Sequence, residues 1–224
     1  METNIHMTVK KLTCLLLLFG IVTGPAMGSP SLAATSSGRI EASATEAVKG
    51  TIDDLIRVLD DETLKQPELA EARRRAIENI VKHRMDYEEM ARRSLGSPWA
   101  TLSHRDQREF VGLFVQLLRD SFAGRITERS DEQVVFLGEH RDSTFAEVKA
   151  QLKGRKIDTP VDFRLTRRGY EWRVYDIVID GASIVSNYRS QFTSIIRDVS
   201  YGGLVKKMRE KAIAVKTFEK FPAP

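Results

Sequence analysis

Hydrophobic residues recur along the chain with two different periods, and the period changes twice. They follow helical spacing from about residue 40 to 122, alternate as in strands from about 132 to 180, and return to helical spacing up to about 215. A period of about 3.6 is typical of an amphipathic helix, and a period of 2 is typical of a strand with one buried face. The pattern therefore predicts a helical region at 40–122, a sheet at 132–180 and a second helical region at 183–215.

The first helical region contains recognisable helix boundaries. Asp86 is followed three residues later by Glu89, which is the arrangement of a helix N-cap with an acid in the first turn, and Gly96 ends that helix. Ser103 and Asp106 predict the capped start of another helix, which is apolar over more than half of its circumference. We expect a helix of that kind to be buried from more than one side.

The alternating region predicts a meandering antiparallel sheet of about four strands. Val161, Phe163 and Leu165 alternate with polar residues, and Gly169 lies in a tight turn before the strand that begins at Tyr170. Short turns of this kind favour hairpins, and no strand-helix-strand repeat is present to suggest a parallel sheet. The predicted fold class is α+β, with helices packed against one face of the sheet.

The last predicted strand changes character along its length. Trp172 and Val174 lie on one side with charged residues between them, but from Tyr175 onward both sides are apolar. The far end of this strand is therefore either covered on both faces or directed at an internal space. Gly181 supplies the backbone angles that turn the chain out of the sheet, and Ser183 is placed to cap the next helix.

Composition places the chain among ordinary folded proteins, with 42% hydrophobic and 29% charged residues and a formal net charge of +4. The basic residues occur in short clusters with acids close by, so no long surface of one charge sign forms. Nucleic-acid binding is therefore not predicted.

The N-terminal region has the features of a secretory signal peptide. Two lysines precede an apolar run from Leu12 to Val22. This run has about 11 residues, whereas a membrane-spanning helix needs roughly 20. We predict that residues 1–34 are cleaved and that 35–224 form a single domain. The only cysteine, Cys14, lies in the predicted signal peptide, so the mature protein is expected to be soluble, beyond the inner membrane, and without disulfides.

No catalytic or metal-binding motif is recognisable, so we predict neither a catalytic residue nor a cofactor. His83, His104 and His140 are too widely spaced to form a metal site. Asp176 is the one acid in an unusual setting, because it lies inside a strand. It is either a general base in a cavity or a structural carboxylate that accepts hydrogen bonds from backbone N–H groups or an arginine such as Arg189. We favour the structural role, because no histidine or tyrosine lies at a catalytic spacing from it.

The segment WRVYDIVIDG, from Trp172 to Gly181, continued by SIVSNYRSQF, resembles the signature of the MlaC family, also called toluene-tolerance or Ttg2-type proteins. The resemblance extends to Met85-Asp86-Tyr87 and to Trp99, and so covers nearly the whole predicted mature chain. The sequence departs from the family at Ser200-Tyr201-Gly202-Gly203-Leu204, where an Asp-Gly-Leu turn is usual.

The resemblance implies a periplasmic carrier that moves phospholipids between the outer and inner membranes. It also implies a curved antiparallel sheet and packed helices that enclose the diacyl tails and leave the headgroup exposed. The implied partners are an outer-membrane lipoprotein-porin complex and an inner-membrane ABC transporter with an MCE-type ring. Two tails contain about 30 CH₂ groups, so leaving them in water would cost on the order of 20 kcal/mol. A carrier must therefore enclose them.

Twelve apolar or aromatic residues are predicted to contact the lipid tails, although each could equally belong to a filled core. They are Phe110, Phe114, Leu117, Phe136, Val148, Phe163, Trp172, Val174, Tyr175, Ile184, Val185 and Tyr188. The predicted structural residues of the motif are Asp176, Gly181, Ser183 and Arg189. Two other functions stay open, namely a periplasmic chaperone or adaptor, and an enzyme on an NTF2-like scaffold with Asp176 as its base.

Overall fold

The protein is described by a computed structural model at residues 43–122, 133–154 and 157–211. The predicted signal peptide, residues 1–34, lies outside these ranges, as do residues 212–215 of the predicted second helical region. The described residues form an α+β fold of five α-helices and five strands. The predicted fold class is confirmed.

Four helices precede the sheet, and their caps explain where they begin and end. They are α1 (Ala44–Asp60), α2 (Ala70–Arg84), α3 (Tyr87–Leu95) and α4 (His104–Phe122), with short 3₁₀ helices at Pro67–Leu69 and Ser97–Thr101. Ser43 and Glu46 form a reciprocal capping box at the start of α1. The Asp86 side chain accepts a hydrogen bond from the Glu89 N–H, and Gly96 ends α3 with a φ of 73°. The predicted boundaries of α3 are thus confirmed.

The strands form a single antiparallel sheet in which each strand neighbours the next one along the chain. They are β1 (Gln133–Arg141), β2 (Phe145–Lys153), β3 (Thr159–Arg168), β4 (Glu171–Ile179) and β5 (Ala182–Ser183). The four longer strands match the predicted meander. The two-residue strand β5 was not predicted, because two residues are too few to show an alternating pattern.

Two of the strands contain a β-bulge, with Leu137 as the extra residue in β1 and Tyr175 as the extra residue in β4. An inserted residue bends its strand and reverses the alternation of side chains beyond it. Val174 therefore shares a face of the sheet with Ile177, whereas Asp176 lies on the opposite face beside Arg164. This reversal is one reason why the sequence of β4 looks apolar on both sides after Tyr175.

The apolar face of the sheet is buried beneath α1 and α2. Val148 lies opposite Phe163 across β2 and β3, and Leu165 lies opposite Val174 across β3 and β4, all at 5% exposure or less. Helix α1 contributes one buried stripe to this core, comprising Val48, Ile52, Leu55, Ile56 and Leu59. The far end of β4 is covered on its other face as well, since its last four residues are all buried and the start of the next helix hydrogen-bonds to Asp176 there. Of the two alternatives for this strand end, coverage on both faces is confirmed.

The final helix, α5 (Ile184–Arg209), is kinked at Ser200, whose φ of 68° and ψ of 173° are not helical. A β-carbon on Gly203 would lie 2.7 Å from Cγ2 of Val199. Glycine at position 203 therefore allows the two parts of the helix to approach each other closely at the kink. Beyond the kink, Leu204 and Met208 are buried. The kink thus lets one continuous segment pack along two directions.

The kink predicts that replacing Ser200 with glycine stabilises the protein. Its backbone angles lie in a region that is nearly restricted to glycine and costs other residues roughly 1–3 kcal/mol. After allowing for the entropy of glycine in the unfolded chain, we expect Ser200→Gly to raise the free energy of unfolding by about 1 kcal/mol in a urea titration. Ser190→Gly, on the same helix before the kink, should lower it by about 0.5–1 kcal/mol. A loss of stability in both variants would show that Ser200 is not strained.

Candidate functional site

The buried face of the sheet brings together five of the twelve predicted tail-contacting residues. They are Phe136, Val148, Phe163, Trp172 and Val174. All except Phe136 have at most 5% of their surface exposed, and Phe136 is half-buried in β1. The small residues Ala146 and Ala150 lie on the same face. The result is a continuous apolar surface that faces the helices.

A second group of predicted residues forms an aromatic cluster between α4 and α5. The rings of Phe110 and Phe114 stack with centroids 6.3 Å apart, and Tyr188 meets Phe114 edge-on at 5.3 Å. Phe192 joins both helices, with its centroid 5.7 Å from those of Phe110 and Tyr188. All four side chains are fully buried, so each ring contacts protein on every side. Phe192 was not among the predicted tail-contacting residues, although it is central to this cluster.

Three further predicted residues lie beside this cluster, on the two helices that form it. Leu117 of α4 is 8% exposed, and Ile184 and Val185 at the start of α5 are 4% and 6% exposed. The Tyr188 hydroxyl lies 3.0 Å from the Ser121 hydroxyl, which gives this deeply buried polar group a partner. The cluster is therefore well packed and polar only at its margin.

Tyr175 occupies a different environment from the other predicted residues because it is the extra residue of the β4 bulge. Its ring meets Phe145 edge-on at 6.2 Å. The guanidinium carbon of Arg93 lies 4.0 Å from the centroid of the Tyr175 ring, which is a close cation–π contact. Burial raises the pKa of the Tyr175 hydroxyl above its ordinary value. The structure thus places Tyr175 in a contact between a helix and the sheet that is partly polar.

Asp176 joins the last long strand to the final helix. Its carboxylate accepts hydrogen bonds from the Ser183 hydroxyl at 2.6 Å and from the Val185 N–H at 3.0 Å. The arginine that faces it is Arg164, at 3.3 Å. Arg189, which the sequence suggested, instead lies against Gly96, where a β-carbon would come within 3.1 Å of its Nε. The suggested pairing was wrong because the partner comes from the neighbouring strand rather than from the same motif.

Gly181 and Ser183 take the positions that the sequence predicted for them. Asp180 and Gly181 have φ values of 48° and 77°, as in the two-residue hairpin turns that match the twist of antiparallel strands. The Ser183 hydroxyl accepts a hydrogen bond from the Ser186 N–H at 2.9 Å and so caps α5. The same hydroxyl donates to Asp176, so one side chain serves both the strand and the helix.

A buried network of acids and arginines beside Tyr175 was not predicted as a unit. Asp86 and Glu89 are only 6% and 7% exposed, and Nε of Arg168 lies 2.6 Å from Asp86. Burial alone would raise the pKa of Glu89, but hydrogen bonds from Arg92 and Arg93 outweigh it and hold that pKa below its ordinary value. The sequence predicted the helix cap formed by Asp86 and Glu89. It did not predict the ion pair between Asp86 and Arg168 of β3, which lie 82 residues apart in the chain.

The described residues form neither a recognisable metal site nor a membrane-spanning helix. Among residues 43–122, 133–154 and 157–211, no group of three or more His, Cys, Asp or Glu side chains is arranged to hold a metal ion. No helix in the same ranges combines the length and the apolar character that crossing a membrane requires.

Comparison with protein families identifies the family to which the chain belongs. The family model described as MlaC protein matches residues 49–210 of the 224, which is well over half of the chain. The chain belongs to the MlaC family.

Two similar proteins illustrate how far the likeness extends. The intermembrane phospholipid transport system binding protein MlaC of Haemophilus influenzae is 23% identical over 124 residues, which cover 53% of this chain and 58% of that protein. A phospholipid-binding protein from Ralstonia solanacearum, solved in complex with a phospholipid, superposes with a TM-score of 0.66 at 24% identity. That superposition covers 76% of this chain and 97% of the other, and it shows a shared fold.

The hydrogen bonds that Asp176 accepts lead to a stability prediction. Replacing Asp176 by asparagine should lower the free energy of unfolding by about 2 kcal/mol, because one acceptor is lost and Arg164 loses its buried partner. The matched change Asp162→Asn, on the same sheet face without that network, should cost about 0.5 kcal/mol or less. Urea titrations of both variants would measure the difference. Equal stabilities would contradict the structural role of Asp176.

Proposed function

We propose that this chain is a periplasmic phospholipid carrier that shuttles lipid between the outer and inner membranes. Membership of the MlaC family supports this proposal, as does the shared fold with a protein that was solved with a bound phospholipid. Its partners in this proposal are an outer-membrane lipoprotein-porin complex and an inner-membrane ABC transporter with an MCE-type ring. The observation that carries the proposal is the continuous apolar face of the sheet beneath α1 and α2.

The proposed cargo explains why the carrier needs such a face but no energy source of its own. Roughly 30 CH₂ groups, at about 0.8 kcal/mol each, make the exposure of two tails to water prohibitive. The bilayer and an apolar protein interior offer nearly the same gain, so transfer between them lies close to neutral. In this proposal the direction of transport is set by the membrane partners.

We assign the tail-binding surface to the sheet face rather than to the aromatic cluster. Phe110, Phe114 and Tyr188 pack ring against ring with no exposed surface, whereas the sheet face continues to a half-buried residue at β1. Most residues on the sheet face are also well packed, so two tails can enter only if α1 and α2 move away from the sheet. Phe136 is the most accessible predicted residue on this face.

The alternative functions gain less support from the geometry. An enzyme with Asp176 as its base would need that carboxylate to be available to a substrate, yet it already accepts hydrogen bonds from Ser183, Val185 and Arg164. A chaperone or adaptor would bind unfolded chains and contain no extractable lipid. This difference separates it from a carrier in a single experiment.

The mature protein, purified without detergent, should carry a stoichiometric adduct of phospholipid mass in native mass spectrometry. Organic extraction followed by lipid analysis should then identify the headgroup and the number of acyl chains. A protein that remains free of lipid even after incubation with phospholipid vesicles would refute the carrier function. Suppression of client aggregation by such a lipid-free protein would favour the chaperone.

A pair of neighbouring substitutions tests the assigned surface. Phe136→Glu places a carboxylate on the proposed tail-binding face, and we expect at least a tenfold loss of bound phospholipid because a charge beside the tails must be desolvated. Val135→Glu changes the adjacent residue, which is 37% exposed on the opposite face, and should leave lipid binding unchanged. Circular dichroism confirms folding of both. Equal lipid content in the two variants would rule out the sheet face as the tail site.

A further inference from the structure

Trp172 carries a buried hydrogen-bond donor that the protein itself does not satisfy. Its side chain is 3% exposed on the apolar face of the sheet, and its Nε1 has no hydrogen-bond partner among the described residues. Leaving a buried N–H group unpaired costs roughly 1–3 kcal/mol. Such groups are rare in folded proteins and usually have an ordered water or a ligand as their partner. The indole N–H of Trp172 is thus a candidate contact for a bound molecule.

An arginine lies at the same position along β4. Nη1 of Arg84 donates to the main-chain carbonyl of Trp172 at 2.6 Å, and Nε of Arg84 donates to the Thr51 hydroxyl at 2.7 Å. The guanidinium therefore bridges α1 and β4 at the edge of the core.

Arg84 is half-buried, and the carboxylates of Glu171 and Asp54 act on its charge only from beyond salt-bridge distance. Within the described part of the chain, no carboxylate lies within 4.0 Å of its guanidinium. By contrast, Arg57 on α1 and Arg74 on α2 each form a salt bridge. Burial lowers the pKa of Arg84 below its ordinary value. A partly desolvated cation of this kind attracts an anion, and phosphate oxygens suit the planar donor geometry of arginine.

The depths of the two donors match the order of groups in a phospholipid. Moving outward from the tails, a diacyl lipid presents first its ester carbonyls, which accept hydrogen bonds but carry no charge, and then its phosphate, which is anionic. By burial, the neutral N–H of Trp172 is the deeper of the two donors and the half-buried cation of Arg84 is the shallower. Each donor has the chemistry of the lipid group at the corresponding depth.

We propose that Trp172 Nε1 and Arg84 form a binding site for the glycerophosphate region of the lipid, in which the indole N–H donates to an ester carbonyl and the guanidinium binds the phosphate. This inference rests on the proposed carrier function and adds polar recognition to it. Burial of the tails provides affinity without fixing their position, whereas these two contacts fix the depth at which the lipid stops. The headgroup beyond the phosphate then remains in solvent.

The indole N–H can be observed directly, because the chain contains only two tryptophans. In protein labelled with ¹⁵N-tryptophan, the spectrum of Trp172→Phe identifies the signal of Trp172 by its absence. Delipidated protein is then incubated with vesicles of dioleoyl phosphatidylglycerol, its ether-linked analogue, or a matrix that contains dioleoylglycerol. The Trp172 signal should move to higher proton frequency with the ester lipid and with dioleoylglycerol, and should move much less with the ether lipid.

Substitutions separate the two contacts. Trp172→Phe keeps an aromatic side chain and removes the donor, so it should weaken retention of the ester lipid by roughly three- to tenfold while changing retention of the ether lipid much less. Arg84→Gln should weaken retention of phosphatidylglycerol by roughly tenfold or more but should not affect dioleoylglycerol. Arg84→Lys keeps the charge but not the planar donor group, so it should recover only part of that loss. Arg75→Gln, which changes a solvent-exposed arginine on α2, is the matched control and should behave as the wild type.

The possible outcomes test the Trp172 contact, the Arg84 contact and the carrier function separately. If phosphatidylglycerol binds, as mass spectrometry would show, but the Trp172 signal does not distinguish ester from ether lipid, an ordered water partners the indole and the Trp172 contact is refuted. If Arg84→Gln weakens dioleoylglycerol as much as phosphatidylglycerol, the arginine acts only through the fold and the phosphate contact is refuted. If no lipid binds under any condition, the carrier function itself fails, and this inference fails with it.

Discussion

The bulge at Tyr175 allows one strand to serve two surfaces, and the remainder of the fold depends on it. Before the bulge, β4 directs Val174 towards α1 and α2; beyond it, the same face is continued by Ile177. The reversal leaves Asp176 on the other face, where it holds the start of α5. Without the extra residue, either the apolar face would be interrupted by a carboxylate or the final helix would lose its anchor.

The sequence allowed the local features to be predicted, and the structure supplies those that depend on distant residues. Helix caps at Asp86, Gly96 and Ser183 were predictable because a cap is decided by a few neighbouring residues. The bulge was not, because no glycine or proline marks it. The choice of Arg164 over Arg189 as the partner of Asp176 depends on strand register, which periodicity alone does not fix.

The separation of the candidate site into a sheet face and an aromatic cluster could not be predicted from the sequence either. Periodicity shows which side of a helix or strand is buried, but not whether anything besides protein can occupy the space beside it. Phe114 and Phe136 are indistinguishable as apolar positions in the sequence, yet one is fully enclosed and the other is half-buried. The unpaired N–H of Trp172 could be recognised only in three dimensions, because every tryptophan carries the same donor.

The bulge in β1 has a consequence for how copies of the protein behave towards one another. The outer edge of β4 is closed by β5 and by the bridge between Met85 and Val174. Among the described residues, β1 is the long strand at an edge of the sheet, the other edge strand being the two-residue β5, and Leu137 interrupts β1. Irregular edges resist the strand-to-strand pairing that starts aggregation. The proposed carrier would have to open an apolar interior at membranes, and an interrupted edge would let it do so without offering a template to another copy.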